Sequence, residues 1–145
     1  LLAARLGLPF VDLDALIEQR EGASVPALFA ARGEAGFRAA EAAALQAALQ
    51  VPRQVLALGG GTPCQPGALA GLRAAGARTV YLKASPPTLA QRLASQAGSR
   101  PLLAGATGAA LEARLAALLA AREGFYEQAD KVVIADASPE EVASA

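Results

Sequence analysis

The apolar run Val55-Leu56-Ala57-Leu58, followed at once by Gly59-Gly60-Gly61 and Thr62-Pro63, constrains this chain more than any other stretch. A short continuous apolar run suits a strand covered on both faces, the habit of parallel sheets packed between helices. Three glycines then remove every Cβ from the loop, so bare backbone amides can come very close to a ligand. In α/β sheets ligands gather beyond the carboxyl ends of strands, which makes this loop a candidate site. Whether it meets a nucleotide phosphate or another ligand is open at this point. No Lys-Ser/Thr pair follows the glycines at the required distance, so they do not by themselves encode a kinase phosphate cradle.

Turn and cap signals divide the rest of the chain. Leu1 to Leu6 reads as the tail of a helix closed by Gly7. It starts in mid-element, without a methionine or a capping residue, and the expectation is that an N-terminal piece precedes it. Leu8 to Asp14 reads as a short strand whose two carboxylates, Asp12 and Asp14, share a face if the strand persists. The alternative is that Asp14 caps a helix over Ala15 to Arg20. Ser24 opens a short helix through Phe29, and Gly33 separates it from a long one over roughly Glu34 to Leu49. On the long helix Phe37, Ala40, Ala44, Leu45 and Ala48 form a buried face, with Glu34, Arg38 and Glu41 on an adjoining strip. Spacing alone favours an exposed ion-pair ladder worth about 0.2–0.5 kcal/mol per pair. The functional alternative is an arginine held in one rotamer by flanking carboxylates, its fork facing a ligand.

Beyond the glycine loop, Pro66 to Ala75 reads as helix and Thr79 to Leu82 as strand, and Ser85-Pro86 opens a helix to about Ala94. Residues 95–108 are too interrupted to form an element and are read as a lid. Ala109 to Arg122 is helix, Lys131 to Ile134 a last strand, and Ser138-Pro139-Glu140-Glu141 a capping box. Arg122, placed in a last turn, could simply complement the helix dipole. Helices alternate with strands and no hairpin signal intervenes, so the expectation is a single three-layer αβα domain over residues 1–145 with a parallel sheet.

Composition narrows the chemistry. Thirteen basic and thirteen acidic side chains cancel without any basic block, so nothing draws the chain as a whole to nucleic acid or a membrane surface. No apolar run reaches the roughly 20 residues that span a bilayer, and a cytoplasmic protein is expected. Histidine is absent and Cys64 is the single cysteine, so His-based triads, an internal disulfide and zinc-finger sites are excluded. What remains, arginines and carboxylates around a bare loop, suits a small polyhydroxylated acid, because arginine binds carboxylates bidentately and carboxylates accept from hydroxyls.

Phe10-Val11-Asp12-Leu13-Asp14, Gly33-Glu34 with Phe37-Arg38 and Glu41, Leu58-Gly59-Gly60-Gly61, Arg100-Pro101-Leu102-Leu103, and Arg122 with Tyr126 occur in the order and spacing of one family. On these motifs the chain resembles shikimate kinase, from Leu1 to the final helix. The resemblance implies a P-loop, nucleoside monophosphate kinase-like fold and a monomer. It implies transfer of the γ-phosphoryl of ATP to the 3-hydroxyl of shikimate with Mg²⁺, a step of aromatic amino acid biosynthesis. It assigns Asp14 to the reacting hydroxyl and Asp12 to the hydrated magnesium. Arg38 and Arg122 are assigned to the shikimate carboxylate, Glu41 to holding Arg38, and Gly59, Gly60 and Gly61 to substrate contact. Arg100 is assigned to the transferring phosphoryl, while Arg92 and Pro139, whose spacing departs slightly, are assigned to adenine. The family's first strand and Gly-Lys-Ser/Thr loop are absent, the strand being central, between those at Val55 and Thr79. These 145 residues alone are therefore expected to be unstable or inactive. Two further readings are a related kinase such as a gluconate kinase, and a degenerate domain that binds a small acid without catalysis.

Overall fold

Two short strands, β1 (Phe10–Asp12) and β2 (Val55–Ala57), run parallel in register Phe10↔Val55, Val11↔Leu56 and Asp12↔Ala57. They belong to the first of two units, Leu1–Arg78 and Thr79–Ala145, in a computed structural model that describes residues 1–93 and 107–145. A parallel pair needs a long crossover, and α2 (Leu13–Glu21) with α3 (Val25–Leu49) provides it. Before the strands lies α1 (Leu2–Leu6), closed by Gly7 as expected. After them come a 3₁₀ turn, Thr62–Cys64, and α4 (Ala68–Ala74), shorter than the helix expected from Pro66.

The first unit's core is Leu13 and Ile17 from α2, Leu28, Phe37, Ala40, Ala44 and Leu45 from α3, and Ala68 and Leu72 from α4. All five apolar residues expected to face inward from the long helix are buried. Gly33 interrupts α3 with φ 66 and ψ −175, so the expected division into two helices is a sharp break within one element. Across that break the rings of Phe29 and Phe37 stack at 4.4 Å.

Two expectations for this unit need correction. The strand does not persist to Asp14: helix begins at Leu13, because Asp12 Oδ1 accepts the N–H groups of Asp14 at 2.9 Å and Ala15 at 3.2 Å. Asp12 is therefore the N-cap, Asp14 lies in the first helical turn, and the two carboxylates do not share a strand face. Nor is β2 covered on both faces, since Val55, Leu56 and Ala57 are each half-buried.

In the second unit β3 (Val80–Lys83) pairs in parallel with β4 (Lys131–Ile134). Between them run α5 (Pro86–Leu93) and α6 (Gly108–Tyr126), and α7 (Pro139–Val142) follows. Leu111 and Leu115 of α6 are buried against Leu89, Ala90 and Leu93 of α5. Two aspartates fasten the strand ends. Asp130 accepts from the Thr79 N–H and hydroxyl, each at 2.7 Å, and Asp136 from the Ser85 N–H at 2.8 Å and hydroxyl at 3.0 Å. The capping box at Ser138 is formed as expected. Helix α6 runs on to Tyr126, so Arg122 is not in its last turn and the helix-dipole explanation for it lapses. Arg100 and nearly all of the expected lid lie outside the described residues. Among the described residues no helix is long and apolar enough to cross a membrane.

Candidate functional site

The apolar stripe of α3 fixes the rotation of that helix, and Arg38 and Glu41 are carried in beside it. Glu41 is only 2% exposed. A carboxylate at that depth is costly unless its oxygens are paired. Both are: Oε2 accepts from Arg38 Nη1 at 2.8 Å, and Oε1 accepts from the Thr62 hydroxyl at 2.7 Å. Spacing favoured an exposed ladder, and that holds for Glu34 alone, 68% exposed and 3.5 Å from Arg38 Nη2. The Arg38–Glu41 pair is part-buried, its carboxylate fully so. The stripe of alanines lets neighbouring chain pack down over it, which charge spacing does not register.

The glycine loop closes over this pair. A Cβ on Gly61 would lie 2.7 Å from Arg38 Nη2 and 2.9 Å from Nη1, so the guanidinium occupies the space that glycine leaves. Gly61 has φ −88, and the requirement there is room rather than backbone conformation. A Cβ on Gly59 would lie 3.4 Å from both Asp14 Oδ1 and Thr62 Oγ1 and 3.8 Å from Glu41 Oε1. The structure thus brings Asp14, Arg38, Glu41, Gly59 and Gly61 together within one unit, with Gly60 exposed between the two glycines.

Arg38 is held but not saturated. Its Nε is buried without a hydrogen-bond partner, the one such side-chain atom among the described residues. A buried donor left unpaired costs about 1–3 kcal/mol, a cost that a ligand oxygen or a water removes. The guanidinium also lies 5.3 Å from the Phe37 ring centroid. A fork fixed on one side by a carboxylate, in a partly dry setting, is suited to receive a planar anion.

Asp12 is exposed, with Oδ1 engaged in capping α2. Among the described residues no three His, Cys, Asp or Glu side chains gather as a metal cage. A hydrated magnesium is commonly bound by one or two carboxylates together with phosphate oxygens and water, a donor set that one exposed carboxylate can join.

The remaining expected residues lie in the second unit. Arg92 Nη2 donates to the Ala137 carbonyl at 2.8 Å, two residues before Pro139 opens α7. Arg122 is half-buried on α6. Sequence reasoning missed Thr62, which is 1% exposed. Its signal was slight: a hydroxyl directly after a glycine loop.

Comparison with known proteins points to one family. The family model for shikimate kinase matches residues 1–145. The chain is 47% identical over 142 residues to a shikimate kinase of Chlorobium chlorochromatii, covering 94% of this chain and 74% of that protein. It is 45% identical over 143 residues to one of Synechococcus sp. (strain CC9605), covering 98% and 69%. The crystal structure of shikimate kinase from Bacteroides thetaiotaomicron matches with TM-score 0.89 and 34% identity, over 99% of this chain and 82% of that one. Shikimate kinase from Acinetobacter baumannii in complex with shikimate matches with TM-score 0.86 and 31% identity, over 99% and 78%. The P-loop kinase-like αβα fold expected from the sequence stands on these likenesses.

Proposed function

The chain belongs to the shikimate kinase family, and from that premise we propose that it transfers the γ-phosphoryl of ATP to the 3-hydroxyl of shikimate. The observation that carries this reading is Arg38, locked by Glu41, roofed by Gly61 and left with an unpaired buried donor. Such a fork binds the shikimate carboxylate and sets the ring's orientation before reaction. Asp14, beside Gly59, orients the attacking hydroxyl and accepts its proton, while the loop amides form the floor beneath it. Phosphoryl transfer depends on positioning and electrostatics, so no protein nucleophile is needed.

Asp12 is the carboxylate suited to hold hydrated Mg²⁺, which when bound with ATP offsets phosphate charge. The roles of Arg122 at the shikimate carboxylate and of Arg100 at the transferring phosphoryl rest on their motifs. Arg92, bonded to the Ala137 carbonyl, and Pro139, two residues on, are proposed to border adenine. The protein is further proposed to act as a cytoplasmic monomer.

The test is steady-state kinetics of the full-length protein with shikimate, gluconate and ATP. Removing charge-assisted hydrogen bonds costs about 1.5–3 kcal/mol each, so Arg38→Ala should raise the shikimate KM roughly 100-fold while the ATP KM stays near wild type. Absence of ATP-dependent shikimate phosphorylation, or an unchanged shikimate KM in Arg38→Ala, refutes the reading.

A further inference from the structure

Thr62 takes no part in the roles above, yet it is the most deeply buried polar residue of the site. Its hydroxyl faces a carboxylate and therefore donates, 2.7 Å from Glu41 Oε1. The other Glu41 oxygen receives Arg38 Nη1 at 2.8 Å. The terminal torsion of a glutamate is broad, so one hydrogen bond leaves the carboxylate plane free to turn. A second bond from the opposite side removes that freedom. Thr62 is well placed to hold it, because the 3₁₀ turn is itself anchored: Thr62 N–H donates to the Gly59 carbonyl at 3.0 Å and Cys64 N–H to the Gly61 carbonyl at 3.2 Å.

From this chain of contacts we infer that Thr62 is a positioning residue for anion recognition, acting on Arg38 through Glu41. The inference rests on the proposed shikimate carboxylate site. Thr62 follows Gly61 directly, so the backbone that roofs the guanidinium also carries the hydroxyl that sets its counter-ion. The loop and the arginine are thereby registered to one another, and the fork keeps the angle at which a carboxylate is bound by two parallel hydrogen bonds.

Two substitutions separate this role from simple packing. Thr62→Val keeps the volume and removes the donor; Thr62→Ser keeps the donor and removes a methyl. Positioning requires Thr62→Val to raise the shikimate KM about tenfold, through one lost hydrogen bond and a loosened fork, with kcat and the ATP KM within about twofold. It requires Thr62→Ser to stay near wild type. A packing role gives the opposite order, and that result, or an unchanged shikimate KM in Thr62→Val, overturns the inference alone. If Thr62→Val does not fold, Thr62→Ala against Thr62→Ser makes the same comparison, and equal shikimate KM values in those two overturn it. A wild-type protein that does not phosphorylate shikimate overturns the proposed function, and this inference with it.

Discussion

Gly59 and Gly61 stand two residues apart and meet different constraints. At Gly61 a methyl would sit 2.7–3.0 Å from three guanidinium atoms, so the guanidinium must shift, against its hydrogen bond to Glu41. At Gly59 the nearest atoms would be at ordinary contact distance, 3.4 Å. Misplacing a binding group by about 1 Å can cost on the order of 100-fold, so Gly61→Ala should raise the shikimate KM by roughly 10- to 100-fold. Gly59→Ala should change it only about two- to threefold, being an ordinary contact rather than a displaced fork. Equal KM values in the two variants would refute the distinction. The sequence marked this loop as close-approach backbone but left open what approaches, because absent side chains do not name a neighbour. Thr62 and Glu41 stand 21 positions apart, and no spacing rule links them.

Among the elements, α3 turns on one residue. Gly33 at φ 66 and ψ −175 lies in a region that is essentially glycine-only, although a Cβ there would meet nothing within 4 Å. The constraint is thus in the backbone. Gly33→Ala should destabilise the fold by about 1–3 kcal/mol in chemical denaturation, and a variant as stable as wild type would contradict this. The break was legible because glycine punctuation and the Ser24 cap agree with each other. Lys131 to Ile134 and the Ser138 capping box were legible for the same reason, each being fixed by local chemistry. Asp14 was misplaced because alternation presumes that a strand continues, whereas the Asp12 side chain captures two amides and starts a helix. The burial of Glu41 was missed because i,i+3 spacing describes one helix surface and not what covers it.

For the whole molecule, thirteen acidic and thirteen basic side chains balance at pH 7, so near neutrality the response to pH should follow particular fastenings rather than net repulsion. The hydrogen bonds from the Ser85 backbone, Thr88 and Ser85 hydroxyls hold the Asp136 carboxyl below its ordinary value of 3.8. A depressed folded pKa stabilises fully above the unfolded value, and that contribution is lost as pH falls through the folded one. The melting-temperature gap between wild type and Asp136→Asn should therefore be full above about pH 4 and close at lower pH; a gap that widens on acidification would refute the fastening. Lys83, raised above 10.5 by its hydrogen bond to Glu123, has the opposite sign and loses its contribution only as alkaline pH passes the raised value. Neither fastening belongs to the unit that holds Arg38. In that unit the clamp has an entropic consequence. An arginine side chain carries about 2 kcal/mol of rotamer entropy, and Glu41 with Gly61 removes much of it when the chain folds rather than when an acid arrives. Binding at this fork should accordingly meet little entropic opposition from ordering of the protein.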